Sequence, residues 1–139
     1  RLRQLNANLK RAGVRARTVQ VSAQENPFEK ESFDLILADV PCSNSGVIRR
    51  RPDAPWRYQV KRVAELTLLQ ADILDSLSQL VRSGGRLLYS TCSIEPEENS
   101  RQIENFLALH SDFTLKKQAL FLPSEVHDGA FGALLEKKN

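Results

Sequence analysis

The chain has 139 residues, which fits one domain, and 41% of them are apolar, enough to bury a core. Its formal net charge of +3 and its pI near 9.1 mildly favour a polyanionic partner. Two cysteines do not make a disulfide framework, and no apolar run approaches the roughly 20 residues of a membrane span. The polar, basic N-terminal stretch lacks the apolar core of a signal peptide. We therefore expect a cytoplasmic protein with reduced thiols.

The first predicted element is a helix over residues 1–12, with Gly13 as its C-terminal stop. A short strand is predicted at 18–21. The continuous apolar run at 33–38 is typical of a strand that is buried on both faces of a parallel sheet. Residues 42–57 contain several breakers and are predicted to form a long loop.

The clearest helix pattern covers residues 60–82, where apolar side chains recur at steps of three and four residues. The members of this stripe are Val63, Leu66, Leu69, Ile73, Leu77 and Leu80. The glycine pair Gly84–Gly85 then predicts a helix C-cap, and a strand is predicted at 86–90.

The last third of the chain is predicted to contain a helix and a hairpin. Pro96 suits a first helical position, with two acidic residues after it in the first turn. Residues 113–122 and 130–136 are predicted as two strands joined through Asp128–Gly129. The alternation of strands and helices predicts an α/β sheet with right-handed crossovers and an antiparallel C-terminal hairpin.

Each cysteine follows a predicted strand directly. Cys42 lies in Asp39-Val40-Pro41-Cys42-Ser43, and Cys92 lies in Ser90-Thr91-Cys92-Ser93. Chemistry in open α/β sheets gathers at the carboxyl ends of strands, and two thiols and an acid there suit covalent catalysis on an electrophilic ring. The residues alone also allow plainer roles: small buried cysteines, a redox pair, and a carboxylate that caps a turn.

The longer strings around these motifs resemble the Sun-type RNA (cytosine-5) methyltransferases. Residues 39–53, DVPCSNSGVIRRRPD, are similar to the fourth motif of that family and its basic extension. Residues 89–94, YSTCSI, followed by 96–99, PEEN, are similar to its sixth motif. The Arg-Pro-Asp extension with Trp56 is most similar to the bacterial ribosomal RNA branch of the family.

The resemblance implies a Rossmann-like methyltransferase fold that uses S-adenosylmethionine (AdoMet). The chain contains no Gly-x-Gly-x-x-Gly loop, so the first strands of that fold and its glycine-rich turn are expected to be absent. We interpret residues 1–139 as a single, partial catalytic domain from the C-terminal part of a longer enzyme. Such a chain rearranges, pairs with a second copy, or requires its N-terminal half to cover its open strand edges.

The resemblance also implies the catalytic roles. Cys92 is the nucleophile that adds to C6 of the cytosine, Cys42 assists product release, and Asp39 holds the N3/N4 edge of the base and shares a proton at N3. Pro41 fixes the backbone between Asp39 and Cys42. The helix predicted at Pro96 is expected to lower the pKa of the Cys92 thiol through its positive end.

The cofactor side of the chain departs from the family pattern. The family carries an acidic residue near the end of the strand predicted at 18–21, whereas this chain has Ser22 there and no acid until Glu25. Ser22, with Asp39 and Pro41, is the candidate for contact with AdoMet.

RNA is the expected partner, ribosomal RNA by the resemblance. Arg49, Arg50 and Arg51 directly follow the first cysteine motif, where they are candidates to neutralise phosphates beside a flipped base. The alternative is a solvated charged surface. Trp56 and Tyr58 are candidates for stacking on a base, although a tryptophan is more often a packing anchor. His110 and His127 belong to no metal-like cluster, so we expect no metal site.

Two functions are compatible with the sequence, and a third is not. The first is an AdoMet-dependent RNA cytosine-5 methyltransferase that acts on ribosomal RNA, and the activity of the chain by itself stays open. The second is a non-catalytic RNA-binding module derived from such an enzyme. The third, an adenine N6-methyltransferase, requires Pro-Pro and an aromatic residue after Asp39, which Val40-Pro41-Cys42 does not supply.

Overall fold

The computed structural model of the chain describes residues 2–21, 27–51, 53, 56 and 59–139. The regular elements in this part of the chain are α1 (Leu2–Arg11), β1 (Phe33–Asp39), α2 (Val60–Ser78), β2 (Val81–Thr91), α3 (Ser100–Leu109), β3 (Phe113–Phe121) and β4 (Ala130–Lys137). Two short 3-10 turns lie between them, at Ser45–Val47 and at Pro96–Glu98.

The four strands form one mixed sheet in the order β1-β2-β4-β3. β1 and β2 are parallel and are connected through α2, whereas β4 is antiparallel to both β2 and β3. The predicted α/β architecture and the predicted antiparallel C-terminal hairpin are confirmed. Because β1 and β2 are parallel neighbours, their carboxyl ends emerge side by side, with Asp39 opposite Ser90.

The hydrophobic core lies between one face of the sheet and the two helices α2 and α3. Its largest fully buried apolar side chains are Tyr89, Leu74, Leu87, Ile103 and Leu135. Burying side chains of this size is the main favourable term that fixes the strands beneath the helices. The core therefore holds the ends of β1 and β2 in a fixed relation.

Two predictions about α2 are wrong. The helix ends at Ser78, not at 82, and its buried row passes through Gln70 and Leu74, while Leu69 is exposed. The glycine pair caps no helix, because Gly84 and Gly85 lie inside β2 at an irregularity in its pairing with β1. Gly84 has φ +69°, and a Cβ at Gly85 would lie 2.8 Å from the carbonyl oxygen of Arg82, so this bulge requires glycine at both positions.

β1 forms as predicted but is covered on only one face. Leu35 and Leu37 are 59% and 63% exposed, because none of the described elements packs on that side of the sheet. The strand predicted at 18–21 is wrong, since Thr18–Val21 has no regular structure. A strand needs a neighbour for its backbone hydrogen bonds, and no strand in the described residues pairs with this segment.

The predictions for the first helix and for the C-terminal part agree with the structure. α1 ends at Gly13, which has φ +67°, and the Val14 N–H bonds back to the Leu9 carbonyl as in a Schellman motif. Pro96 opens a 3-10 turn that leads into α3. None of the helices in the described part of the chain is long and apolar enough to cross a membrane.

Candidate active site

The candidate active site lies where β1 and β2 end. The Val40 N–H donates to the Ser90 carbonyl at 3.2 Å, and the Ser90 hydroxyl donates to Asp39 Oδ1 at 3.2 Å. These bonds continue the pairing of the two strands into the loops that carry the cysteines. Asp39, Cys42 and Cys92, which the sequence singled out, are therefore brought to one edge of the sheet.

The two thiols are in direct contact. Cys42 Sγ and Cys92 Sγ lie 3.2 Å apart, both are partly buried, and no disulfide joins them. In its protonated form Cys92 also donates to Asn44 Oδ1 at 3.0 Å. Asn44 adopts a left-handed conformation with φ 62°, which asparagine tolerates better than most residues. This turn directs the Asn44 amide back towards the thiols, and the sequence analysis missed it.

The contact separates the acidities of the thiols. The hydrogen bond from Cys42 lowers the pKa of Cys92 to about 7, against opposing effects of burial and of the charges of Asp39 and Glu98. The same hydrogen bond, and then burial, raise the pKa of Cys42 far above its ordinary value. The direction expected for Cys92 is confirmed. Its largest cause is the Cys42 thiol, not the positive end of a helix.

Glycine permits the first cysteine loop to pack against the second. The Gly46 N–H donates to the Cys92 carbonyl at 3.0 Å, and the Gly129 N–H donates to the Gly46 carbonyl at 2.7 Å. A Cβ on Gly46 would lie 2.8 Å from the Cys92 carbonyl oxygen and 2.9 Å from the Gly129 backbone. The predicted Asp128–Gly129 connection of the hairpin thus closes over the site.

A buried polar cluster connects the two cysteine loops, and the sequence had indicated no role for it at the site. Glu98 is fully buried and accepts hydrogen bonds from the Ser43 N–H, the Ser43 hydroxyl and the Gln70 amide. Ser93 accepts from or donates to the hydroxyls of Ser43 and Ser45. Glu98 belongs to the quoted sixth motif, so the signal was present, but sequence reasoning treated it as a first-turn acid of a helix.

The three candidate RNA-binding arginines have different surroundings. Arg49 Nη1 donates to the Glu125 carbonyl at 2.5 Å, and Arg50 Nε lies 2.7 Å from Asp128 Oδ2 with a side chain that is 74% exposed. Both contacts attach the basic segment to the hairpin loop. Arg51 lines a cavity of about 240 Å³ that also reaches Cys42 and Arg62. Arg51 is therefore the member of the triplet that faces the thiol site.

The remaining candidates are placed as follows. Trp56 is 88% exposed, so it is no packing anchor within the described residues. Ser22 and Tyr58 lie outside the residues that the structure describes. No group of three His, Cys, Asp or Glu side chains that could hold a metal ion occurs in the described part of the chain.

Comparison with curated proteins gives a consistent family. A family model described as 16S rRNA methyltransferase RsmB/F matches residues 1–133. Ribosomal RNA small subunit methyltransferase B of Citrobacter koseri is 44% identical over 99% of this chain and 35% of its own length. The protein of the same name from Klebsiella pneumoniae strain 342 is 48% identical over 83% of this chain and 27% of its own length. The chain thus spans about a third of the curated relatives it matches.

Comparison with solved structures gives the fold. The crystal structure of PH0851 has a TM-score of 0.91 at 34% identity, over 99% of this chain and 34% of its own. NSun6 from Pyrococcus horikoshii, solved with SFG, has a TM-score of 0.86 at 28% identity, over 100% of this chain and 39% of its own. An S-adenosylmethionine-dependent methyltransferase from Clostridium acetobutylicum has a TM-score of 0.59 at 10% identity, over 99% of this chain and 71% of its own. At this identity the likeness is one of fold alone.

The mixed sheet and its helices are part of the Rossmann-like domain of AdoMet-dependent methyltransferases, as the resemblance predicted. Within that class, the chain belongs to the 16S rRNA methyltransferase RsmB/F family. The predicted relation to the Sun-type RNA (cytosine-5) methyltransferases is confirmed.

The unequal acidities of the thiols can be measured directly. Alkylation of Cys92 by iodoacetamide, followed on its own peptide by mass spectrometry, should rise through a midpoint near pH 7. Cys42→Ala removes the largest lowering effect, so the midpoint should move up towards the ordinary value of 9.0. Cys42→Ser keeps a hydroxyl donor and should give a smaller upward shift. A midpoint that stays near 7 in Cys42→Ala would show that the contact does not set the acidity.

Proposed function

We propose that the chain is part of the catalytic domain of an AdoMet-dependent 16S ribosomal RNA (cytosine-5) methyltransferase, with Cys92 as its nucleophile. The observation that carries this proposal is the pair of thiols in contact, one with a pKa near 7 and the other with a pKa raised well above its usual range. A cytoplasmic location, where thiols stay reduced, belongs to the same proposal.

The reaction begins with Cys92. At neutral pH a large fraction of this thiol is ionised, because Cys42 donates a hydrogen bond to the thiolate. The thiolate adds to C6 of the cytosine, and the electrons of the C5–C6 double bond make C5 nucleophilic. AdoMet, when bound, supplies the methyl group that C5 accepts.

Asp39 is assigned a role on the base itself in this proposal. Its carboxylate is exposed at the end of β1 and accepts a hydrogen bond from Ser90. A carboxyl group there can contact the N3/N4 edge of a cytosine bound at Cys92 and share a proton at N3 as charge develops. This role requires the carboxyl group to exchange a proton, which an amide cannot do.

Cys42 acts in the second half of the reaction. While Cys92 is a thiolate, it accepts a hydrogen bond from the Cys42 thiol, and this bond raises the pKa of Cys42 so that Cys42 keeps its proton. When Cys92 is bonded to C6, the sulfur no longer carries a charge, and this effect on the acidity of Cys42 ends. Cys42 can then release its proton to solvent, and the resulting thiolate is the base that removes the C5 proton. The C5–C6 double bond re-forms, and Cys92 leaves as a thiolate.

The described residues of this chain would form only one wall of an AdoMet site. Asp39 ends β1 and Pro41 lies in the loop that follows it, next to Cys42, and the face of β1 that carries Leu35 and Leu37 is exposed. Asp39 and Pro41 would line one wall of the cofactor site. The sequence has no glycine-rich phosphate or nucleotide loop, so the other wall must come from outside these elements.

RNA would approach along the basic segment. Arg51 lines the cavity that reaches Cys42, and exposed Arg50 and Trp56 lie near it in the chain. Arginine side chains here would neutralise phosphates next to a base extruded into the site, and Trp56 is free to stack on a neighbouring base. This arrangement would also serve an RNA-binding module without catalysis. The unequal thiols favour the enzyme, because RNA binding alone requires no ionised cysteine.

Substitution of the cysteines separates their two roles. In the full-length protein with AdoMet and 16S rRNA, Cys42→Ala should accumulate a covalent protein–RNA adduct, visible as a band that resists denaturation, because release has lost its base. Cys92→Ala should form no adduct and no methylated product. The double variant is the matched control and should also form no adduct. Normal turnover by Cys42→Ala without an adduct would remove the release role.

The arginines should differ in their contribution to RNA affinity. Arg51→Ala should flatten the dependence of log K on log salt by about 0.7–0.9 for each phosphate that is no longer neutralised. Arg50→Ala is the matched comparison, and its effect should be smaller because Asp128 already holds that guanidinium. Titrating a 16S rRNA transcript at several salt concentrations measures both slopes. Equal slopes for Arg51→Ala and the unmodified protein would assign the segment to a solvated surface.

A further inference from the structure

Glu98 is the one acidic side chain in the described residues that is fully buried, and it bonds Ser43, the residue that follows Cys42. Its Oε1 accepts from the Ser43 N–H at 2.9 Å and from Gln70 Nε2 at 3.0 Å, and its Oε2 accepts from the Ser43 hydroxyl at 2.5 Å. All three neighbours are donors, which matches an ionised carboxylate. Among the residues that the structure describes, no cation pairs with it.

A buried carboxylate without a cation is costly, so its neighbours indicate what it does for the protein. Its donors hold both sides of Cys42. Ser43 follows Cys42 in the chain, and the Gln70 amide that bonds Glu98 also donates to the Pro41 carbonyl at 2.9 Å. The residues before and after Cys42 are therefore fixed to one carboxylate, directly or through Gln70.

Asn99, the residue after Glu98, holds the residues on both sides of Cys92. Asn99 is buried, accepts from the Thr91 hydroxyl at 2.7 Å and donates to the Ser93 carbonyl at 2.9 Å. Thr91 and Ser93 are the neighbours of Cys92 in the chain. Glu98 and Asn99, which are consecutive in the chain, thus bond the residues on either side of the two cysteines, directly or through Gln70.

We propose that Glu98 is a positioning residue that, through Ser43 and Gln70, holds the Cys42 loop at contact distance from Cys92. This contact matters only under the proposed function, on which the proposal rests in this respect: it keeps Cys92 ionised and Cys42 protonated. The carboxylate touches neither thiol and takes no part in bond making.

Glu98 has a second, opposing effect that makes the proposal testable. Its negative charge raises the pKa of Cys92, whereas the Cys42 contact that it maintains lowers it. A substitution that removes the charge but keeps the hydrogen bonds should therefore lower the pKa of Cys92. A substitution that removes both should raise it. A role confined to general stability would give no such reversal.

Three variants of the full-length protein test this, with the pH profile of Cys92 alkylation by iodoacetamide as the readout. The amide oxygen of Glu98→Gln can still accept from the Ser43 N–H and from Gln70, so the loop stays held while the charge is lost, and the midpoint should fall below 7. Glu98→Ala releases the loop, so its midpoint should rise towards 9.0. Glu97→Gln is the matched control, because Glu97 is exposed and pairs with Arg101, and its profile should be unchanged.

Ser43→Ala provides the same test if Glu98→Ala does not fold. It removes one of the three donors to the carboxylate, and its midpoint should rise above that of the unmodified protein. Unchanged profiles in both Glu98→Gln and Ser43→Ala, or upward shifts of equal size in Glu98→Gln and Glu98→Ala, would overturn the proposal.

Methylation of 16S rRNA is the second readout. The turnover number should fall at least tenfold in Glu98→Ala, and Glu98→Gln should restore it to within a few fold of the unmodified protein. The alkylation profiles require neither RNA nor AdoMet. If the unmodified protein does not methylate RNA, the proposed function fails while the role of Glu98 in setting the thiol contact is still decided by the profiles.

Discussion

The contact between Cys42 and Cys92 is the interaction on which the proposed chemistry of this site depends. At 3.2 Å the two sulfurs share one hydrogen bond, so ionising one thiol makes the other harder to ionise. Two identical side chains thereby acquire different acidities. In the proposed reaction the more acidic thiol, Cys92, is the nucleophile, and Cys42 keeps its proton until the bond to Cys92 removes the charge of the thiolate.

The fold creates this contact by means that are mostly far from the sulfur atoms. Parallel pairing of β1 and β2 brings two loops to the same edge of the sheet. Gly46 allows these loops to touch, since a side chain there would collide with the Cys92 carbonyl and with Gly129. Glu98 and Asn99 then fix the residues beside each cysteine. Burying the Glu98 carboxylate is costly, and the hydrogen bonds from Ser43 and Gln70 offset part of that cost.

The sequence predicted the elements with regular patterns and missed features that depend on tertiary structure. The hairpin, α3 and β1 follow from local sequence patterns, for β1 a continuous apolar run, and motif resemblance found Asp39, Cys42 and Cys92. The glycine pair was misread because a helix C-cap and a β-bulge both need positive φ, and only strand pairing distinguishes them. The burial of Glu98 was invisible because the donors Ser43 and Gln70 are distant in sequence. The exposure of Leu35 and Leu37 depends on what packs against β1, which its own sequence does not specify.

The central claim is that the sulfur of Cys92, not that of Cys42, forms the bond to the cytosine. The direct measurement is to incubate the full-length protein and AdoMet with 16S rRNA transcribed with 5-fluorocytidine. The fluorine replaces the C5 proton that must be lost for release, so the adduct is retained. Digestion and mass spectrometry of the RNA-linked peptide should identify Cys92. A linkage at Cys42, or methylation of ordinary rRNA with no linkage to the fluorinated RNA, would contradict the account.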